Sequence, residues 1–419
     1  MSGTRLVGRA VLACVVVAIT CCALAGDWPQ WRGPNRDGKV ADFTAPKEWP
    51  KTLTQKWKIE VGAGDTSPVL VGDKVYVFAR QEKDEVLLCL NAADGKEVWK
   101  QKYEVPAISG PSARAHSGPR ATPAVADGKV VTLGVTGVAS CFDAAKGDVL
   151  WRKEPGKEAP AGVPQFYTAA SPLILDGMAV LLLGAPDKGG IYAFDLAKGD
   201  EKWKWTDEGP AYSSPSVMTV DGVKLIVAMM AKDMVAVNAA DGKFAWKTPF
   251  APTGMTYNAP SPIIDGQTLI YTGPGRGTTA VKIEKKDDGF AAKELWKNPD
   301  IATAFNTPVP KDGLLFGLST GADRRGGGKF FCLSAKDGKT AWIDSKDRGT
   351  TYGATVAADS VIIALTSKAD LVVFDASDKS YIEKASYKVS EKPVYGYPAI
   401  SDKRIFVKDE TSLILWMIE

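Results

Sequence analysis

A single histidine, His116, limits the acid–base and metal chemistry open to this chain of 419 residues. Sites with several histidine ligands, and a haem held between two histidines, are excluded. A Ser/His/Asp triad would have to use His116. That residue lies in the polar stretch 111–120, where a histidine is more often a surface residue than a base. We therefore predict no catalytic residue and no metal ligand.

The cysteines are the next candidates for chemistry. Six are present, and Cys14, Cys21 and Cys22 fall in an N-terminal segment that we expect to be removed. The remaining Cys89, Cys141 and Cys332 are odd in number, so they cannot form a complete set of disulfides. They share one repeat position and have no basic cluster beside them in sequence. This favours small buried strand residues over reactive thiols.

The charge balance excludes one class of partner. Lys and Arg number 52 against 49 Asp and Glu, which gives a net charge of +3, and 45% of the residues are hydrophobic. This composition is typical of a folded globular protein. A nearly neutral chain lacks the basic surface that nucleic acid requires, so no nucleic-acid partner is predicted.

The first 25 residues have the features of a signal peptide. Arg5 and Arg9 precede an apolar run over residues 10–20, and Ala23-Leu24-Ala25 matches a small-x-small cleavage site. We predict cleavage after Ala25 and a periplasmic or secreted protein without a transmembrane segment in the mature chain. The alternative is lipidation at Cys21 or Cys22, although the preceding residues match a lipoprotein signal poorly.

A repeat that ends in tryptophan predicts the architecture. Residues 89–99, 141–151 and 193–203 align, and copies return up to Trp342. The spacing runs from 42 residues (Trp57 to Trp99) to 52 residues (Trp99 to Trp151). Periods of this size indicate a propeller or a solenoid. The predicted inter-blade residues are Trp57, Trp99, Trp151, Trp203, Trp246, Trp296 and Trp342.

The strand starts give the number of blades. Eight starts are marked, mostly by Ser-Pro or Thr-Pro pairs such as Ser171-Pro172, and turn signals such as Asp176-Gly177 follow. Four short strands per unit are typical of a propeller blade. The last unit has only three strands, and residues 53–61 form a strand without partners. We therefore predict an all-β, eight-bladed propeller over residues 53–419, closed by this N-terminal strand, after a strap over residues 26–52.

The repeat resembles a known family. Ser-Pro at the strand start, the Asp-Gly turn, and Ala193-Phe194-Asp195 followed by Gly199 and Trp203 are similar to the PQQ-like repeat. That repeat builds the eight-bladed quinoprotein dehydrogenases and the outer-membrane assembly factor BamB. The stretch 27–38 resembles the opening of exported PQQ-like repeat proteins of planctomycete-type bacteria. It is expected to pack as a strap across one face, with a partner-docking peptide as the alternative.

The resemblance also implies what a quinoprotein site would need. The dehydrogenases hold PQQ between a tryptophan platform and a disulfide of adjacent cysteines, with Ca²⁺ on Glu, Asn and Asp. Adjacent cysteines occur here only at Cys21-Cys22, inside the predicted signal peptide, and a Cys-x-x-Cys-His haem motif is absent. The spare Trp205 and Trp416 fit a core better than a platform. We therefore expect no cofactor, and keep a PQQ- and Ca²⁺-dependent dehydrogenase as the alternative.

Aromatic and cationic residues collect in the loops that a propeller gathers at one face. They precede first strands or join second strands to third strands, and flat rings beside guanidinium groups suit a planar, acidic or sugar-like ligand or an extended peptide. The alternative is that the rings plug the channel and the arginines pair with acids. The predicted mouth residues are Arg114, His116, Arg120, Tyr167, Tyr212, Tyr257, Asn258, Arg276, Phe305, Asn306, Arg324, Tyr352 and Tyr395, with Arg325 and Arg348 nearby.

These observations predict a non-catalytic binding or assembly scaffold. The partner would be a protein or a cell-envelope component such as a glycan, and the propeller itself is expected to be a monomer. The alternatives are the PQQ-dependent dehydrogenase and a polysaccharide-binding module. The resemblance implies a role like that of BamB by analogy of fold alone.

Overall fold

A computed structural model of the chain describes residues 26–110, 115–287, 289–320 and 327–419. The predicted signal peptide, Arg114, Arg324 and Arg325 lie outside these residues. The described residues form 33 strands, gathered into eight sheets. In this part of the chain, no helix has both the length and the hydropathy needed to cross a membrane.

Each sheet contains the four strands of one blade, and in blades 1 to 7 these strands follow one another in the chain from the central channel outward; Lys39–Val40 is a fifth strand in the sheet of blade 7. Blade 1 consists of Val69–Val71, Lys74–Gln81, Asp84–Asn91 and Glu97–Glu104, and blade 2 of Ala124–Ala126, Lys129–Leu133, Ala139–Asp143 and Val149–Lys153. Blade 3 consists of Leu173–Leu175, Met178–Leu183, Gly190–Asp195 and Glu201–Trp205, and blade 4 of Ser216–Val220, Val223–Met229, Asp233–Asn238 and Phe244–Pro249. Blade 5 consists of Ile263–Asp265, Thr268–Gly273, Gly277–Lys286 and Gly289–Asn298, and blade 6 of Val309–Lys311, Leu314–Leu318, Phe330–Ser334 and Thr340–Ile343. Blade 7 consists of Gly353–Ala358, Val361–Thr366, Asp370–Asp375 and Glu383–Lys388, and blade 8 of Ala399–Ser401, Arg404–Lys408, Ser412–Met417 and Thr54–Glu60.

Blade 8 is built from both ends of the described chain. Thr54–Glu60 pairs antiparallel with Ser412–Met417, and Trp57 lies opposite Leu415. This confirms the predicted all-β, eight-bladed fold and the closure of its ring. Because every blade then has a neighbour on both sides, the ring leaves no blade face open to another chain.

The indoles join each blade to the next at the outer radius. In six cases the indole N–H donates to a main-chain carbonyl in the turn of the following blade, at 2.8–3.3 Å: Trp57 to Ala92, Trp99 to Ala144, Trp151 to Leu196, Trp203 to Ala239, Trp296 to Ala335 and Trp342 to Ser377. Trp246 is buried without an acceptor among the described residues. The following blade replaces the short turn with the long hairpin of Gly277–Lys286 and Gly289–Asn298, so no turn carbonyl meets this indole.

The glycine of each short turn is required for two reasons. Gly199 has a φ of +75°, which L side chains rarely adopt. A Cβ atom there would also lie 2.6 Å from Cγ of Trp151. The turn therefore takes glycine both to bend the chain and to receive the indole of the preceding blade.

A belt of hydroxyl groups joins the blades around the channel. At the start of five first strands, the main-chain N–H donates to the hydroxyl of the next blade at 2.8–3.0 Å: Ser67 to Thr122, Thr122 to Ser171, Ser171 to Ser214, Ser214 to Ser261 and Ser261 to Thr307. Tyr397 closes the belt, because its hydroxyl accepts from Thr307 N–H and its own N–H donates to Ser67. The Ser or Thr before each proline therefore links blades, as well as opening a strand.

The stretch 26–40 closes one end of the channel. Trp28 is buried and pairs through its main chain with Leu70. Further on, Lys39–Val40 pairs parallel with Gly353–Ala358 of blade 7. The Gly72 N–H donates to the Asp27 carboxylate at 2.8 Å, which places this segment on the side of the turns that join first and second strands.

The three cysteines of the propeller are buried and unbridged, as predicted. Burial raises the pKa of the Cys89 thiol to about 11 and that of the Cys141 and Cys332 thiols to about 12. At neutral pH these groups are neutral thiols and poor nucleophiles.

Candidate functional site: an aromatic cavity at the open end of the channel

A cavity of about 380 Å³ opens at the end of the channel opposite the strap. Its floor is Trp31 together with the hydroxyl belt, and its wall comes from the loops that enter the first strands. Six aromatic rings line that wall: Phe166, Tyr212, Tyr257, Phe305, Tyr352 and Tyr395. Since those loops end at the belt, the belt fixes where each ring stands.

The rings contact one another in two groups. Phe305 and Tyr352 stack with their planes 2° apart and their centroids 4.1 Å apart. Tyr395 meets Tyr352 edge-on at 5.5 Å. On the other side, Tyr257 meets Phe166 edge-on at 4.9 Å and Tyr212 at 5.9 Å. Stacked and edge-on contacts of this kind stabilise the ring orientations seen in the wall.

Most of the predicted mouth residues reach this cavity. Those that line it are His116, Arg120, Tyr212, Tyr257, Phe305, Asn306, Tyr352 and Tyr395. The Asn306 side chain is buried, where its amide donates to the Leu318 carbonyl at 2.8 Å and its carbonyl accepts from the Leu318 N–H at 3.2 Å. It thus fixes the Phe305 loop and offers little to a ligand.

Three predicted residues lie elsewhere. Tyr167 is outside the lining, and its hydroxyl accepts the N–H of Ser109 at 2.8 Å. Asn258 and Arg276 form a structural cluster: Arg276 donates to the Asn258 side chain at 2.8 Å and to the Phe250 carbonyl at 2.6 Å. These two side chains bond to each other and to the main chain and lie outside the lining of the cavity, so their predicted role as ligand contacts stays a prediction.

Arg348 fits the alternative that the loop arginines pair with acids. It is buried and pairs with the Asp344 carboxylate, and its guanidinium carbon lies 5.4 Å from the centre of the Tyr381 ring. This arginine holds blades 6 and 7 together, and its charge is already met by an acid.

An Asp–His pair stands in the cavity wall. Nδ1 of His116 lies 2.7 Å from the Asp65 carboxylate, and Arg120 donates to the His116 carbonyl at 3.0 Å. The His116 ring packs edge-on against Tyr395 at 4.7 Å. A carboxylate at Nδ1 fixes the tautomer, so the neutral imidazole has its accepting nitrogen at Nε2. The pair orients the ring, and no cysteine thiol lines the cavity beside it.

Sequence reasoning missed three lining groups. Phe166, one residue before the predicted Tyr167, takes the position in the wall. Trp31 in the strap forms the floor. Asp65, two residues before the first Ser-Pro pair, partners His116. Asp65 could have been predicted from its position just before a first strand, because such loops line the cavity. The location of Trp31 could not, because it depends on the path of the strap.

A buried lysine supports the loop of Asp65. The Lys408 ammonium donates to four main-chain carbonyls, including Gly64 at 2.6 Å and Gly62 at 3.2 Å. Burial lowers the pKa of Lys408 to about 8. Because the ammonium group already donates to carbonyl oxygens, this lysine has a structural role behind the cavity.

The side chains of the cavity do not match what a calcium-bound quinone needs. The propeller contains no adjacent cysteines that could form a disulfide over the quinone. No group of three His, Cys, Asp or Glu side chains in the described ranges is arranged to hold a metal ion. Asp65, the acid in the lining, is engaged by His116. We therefore derive no reaction step through such a cofactor.

Comparison with known proteins agrees with this architecture. The family model described as "Outer membrane protein assembly factor BamB" matches residues 36–115 and 83–344. The BamB of Burkholderia pseudomallei (strain K96243) is 24% identical over 318 residues, which cover 72% of this chain and 72% of that protein.

Two solved structures show the same fold. Quinohemoprotein alcohol dehydrogenase from Comamonas testosteroni superposes with a TM-score of 0.71 at 14% identity, covering 94% of this chain and 81% of that one. BamB from Moraxella catarrhalis superposes with a TM-score of 0.63 at 12% identity, covering 87% of this chain and 100% of that one. At such low identity the structural likeness establishes the propeller fold, which is shared by an enzyme and an assembly factor.

Proposed function

Because the chain belongs to the BamB family of PQQ-like repeat propellers, we propose that it is an exported, non-catalytic scaffold that binds a protein partner of the cell envelope through the open end of its channel. The proposal also includes export by the N-terminal signal, a periplasmic or secreted location, and a monomeric propeller.

The observation that carries this proposal is the ordered aromatic wall at one face. Phe305 is 39% exposed although it is a large apolar ring, and it stacks on Tyr352 beside the opening. Exposed aromatic residues that rim a pocket are typical of binding surfaces. Among the described residues that line the cavity, His116 bonds to the Asp65 carboxylate and no recorded bond joins it to a hydroxyl or thiol, so binding explains the lining better than catalysis does.

The test is capture from envelope extracts of the source cells, with the mature protein as bait. A Phe305→Ala/Tyr257→Ala double variant should lose a partner that the wild type retains. Phe244→Ser is the matched control, because Phe244 is 51% exposed on an outer strand away from the cavity. The captured protein is then purified, and its 1:1 binding is measured by calorimetry. Equal retention by wild type and double variant would remove the mouth as the binding face.

A polysaccharide-binding module is the second candidate, favoured by the same stacked pair. Flat exposed rings can pack against the apolar faces of sugars, and a glycan array read with wild type and the double variant separates this candidate from protein binding. The dehydrogenase alternative is tested by adding PQQ and Ca²⁺ and following absorbance and melting temperature. A stoichiometric complex that raises the melting temperature would favour the enzyme.

The location is tested by N-terminal sequencing of the protein isolated from its source. A mature chain that starts at Gly26 supports export with cleavage after Ala25. A lipid-modified chain that starts at Cys21 or Cys22 would replace that proposal with a membrane-anchored protein.

A further inference from the structure

Two buried arginines lie directly behind the floor of the cavity. The guanidinium carbons of Arg32 and Arg36 are 5.5 Å and 5.4 Å from the centre of the Trp31 ring. Arg32 donates to the Thr307 carbonyl at 2.6 Å and to the Tyr397 hydroxyl at 3.0 Å, and both of these residues line the cavity. The two charges therefore lie one side-chain layer below its space.

Within the described ranges, the recorded acceptors of these two cations are all neutral groups. The other acceptors of Arg32 are the carbonyls of Arg36, Asp37 and Pro308. Those of Arg36 are the carbonyls of Ser171, Pro172 and Pro215 and the side-chain oxygen of Gln30. Carbonyl dipoles solvate a cation but do not neutralise it, so the positive potential extends into the cavity.

Arg36 remains charged at neutral pH in spite of its burial. Burial, and then the neighbouring charge of Arg32, lowers the pKa of Arg36 to about 9. At pH 7 the guanidinium therefore keeps its proton in most molecules. The strap thus carries two guanidinium groups to the floor of a cavity whose wall is rich in aromatic rings.

Arg120 adds a cation in the wall itself. Its two terminal nitrogens donate to the carbonyls of Phe166 and His116, at 2.6 Å and 3.0 Å, and each carries a second hydrogen. The acid in the lining is Asp65, whose carboxylate is engaged by His116. Counted over the described residues, three arginine charges in and below the lining stand against one carboxylate, which makes this an anion-attracting cavity.

We propose that the cavity binds a ligand that joins a single aromatic ring to a carboxylate, with the ring among Tyr257, Phe305 and Tyr352 and the carboxylate toward Arg120 and Trp31. Two sources share this chemistry: a free aromatic acid, and the C-terminal aromatic residue of a partner protein. The second source rests on the proposed function, because it makes the cavity the anchor point of the envelope partner. A volume of about 380 Å³ is at the lower end of the range for ligand pockets.

Calorimetry with small probes tests the chemistry. Phenylacetate and 4-hydroxyphenylacetate should bind at low ionic strength, and phenylacetamide, which lacks the charge, should bind at least tenfold more weakly. Cyclohexylacetate, which lacks the aromatic ring, should also bind more weakly. Raising the salt concentration should weaken the binding of the acids and leave the binding of the amide unchanged. Equal binding of acid and amide would overturn the proposal.

Variants locate the site. Arg120→Gln should reduce acid binding at least tenfold without changing amide binding, and Phe305→Ala should reduce both, whereas Phe244→Ser should bind as the wild type does. If thermal melting shows that Arg120→Gln does not fold, Tyr352→Leu serves in its place, with loss of acid binding expected. Full acid binding by folded cavity variants would overturn the location.

Peptides separate the two sources. An acetylated peptide that ends in Tyr-Phe with a free carboxylate should bind more tightly than its C-terminal amide if a protein end is the ligand. Binding of the small acids but not of the peptide assigns the site to a free aromatic acid. Partner capture that is insensitive to excess phenylacetate, together with no binding of any acid, would overturn this inference and leave the proposed scaffold function standing.

Discussion

The two ends of the central channel are built from different chemistry. At the strap end, Arg32 and Arg36 are almost fully buried and reach carbonyls of blades 3, 4 and 6. At the open end, aromatic rings contact one another and leave a cavity, and Phe305 remains more than one-third exposed. Directional hydrogen bonds to many blades lock one end, while ring contacts order the other end without filling it.

This difference separates stability from binding. A buried guanidinium that satisfies several carbonyls is costly to remove, since the acceptors lose their donors and a cavity remains. An exposed ring can be removed at small cost to the fold, because its main contact is one other ring. We therefore expect substitutions at the strap end to lower stability, and substitutions at the open end to affect ligands.

The largest expected effect is at the strap. Arg32→Ala removes donors from two carbonyls of blade 6 and from the Tyr397 hydroxyl, so we expect destabilisation by about 4 kcal/mol or more. Urea unfolding followed by tryptophan fluorescence measures this. The control is Arg404→Ala, where the guanidinium is only partly buried and donates to one hydroxyl. If both variants unfolded at the same urea concentration, the strap would not lock the ring.

The belt between the two ends comes next. Ser214→Ala leaves the buried Ser171 N–H without its acceptor, and we expect a loss of about 1–2 kcal/mol. Thr219→Ala, at an exposed position on the following strand, should change stability by less than about 0.5 kcal/mol. Equal urea midpoints for the two variants would mean that the hydroxyl belt contributes no more than an exposed side chain.

A buried acid near the open end should make stability depend on pH. Glu85 is fully buried, accepts from Val135 N–H at 2.6 Å and from the Tyr103 hydroxyl, and burial raises its pKa above the usual 4.5. The folded state then holds this proton more tightly than the unfolded chain. The contribution of Glu85 to stability therefore increases as the pH falls from the raised value toward 4.5, by at most about 1.4 kcal/mol per pH unit.

Glu85→Gln isolates this contribution, since the amide can accept from Val135 and donate to the Tyr103 oxygen. As the pH is lowered from neutral toward 4.5, the urea midpoint of the wild type should rise relative to that of the variant. Parallel profiles across this range would contradict a raised Glu85 pKa.

The smallest effect on stability is expected at the cavity wall. Phe305→Ala removes a partly exposed ring whose stacking partner is Tyr352, so the free energy of unfolding should fall by about 1 kcal/mol or less. Partner capture and acid binding should nevertheless fall. A Phe305 variant that unfolds as readily as Arg32→Ala would erase the distinction between the two ends.

The repeat made the fold predictable, whereas the site was predictable only in outline. Tryptophan spacing and Ser-Pro starts predicted eight blades and the pairing of Trp57 with the last strand, and the structure has both. Loop position correctly brought most of the aromatic residues to one cavity. Asn258 and Arg276 were assigned to the mouth by the same rule, although their side chains turn into the protein to satisfy each other and the Phe250 carbonyl.

By itself, the sequence determined the blade, because period-two strands, turn glycines and one indole per unit are local features that recur in the chain. Only the tertiary structure decided where the strap goes, that Phe166 and not Tyr167 faces the cavity, and that Asp65 meets His116 across 51 residues. The physical reason is that these contacts form between segments brought together by ring closure. Until the circle is closed, Arg32 and Arg36 have no set of facing carbonyls, and the cavity above Trp31 does not exist.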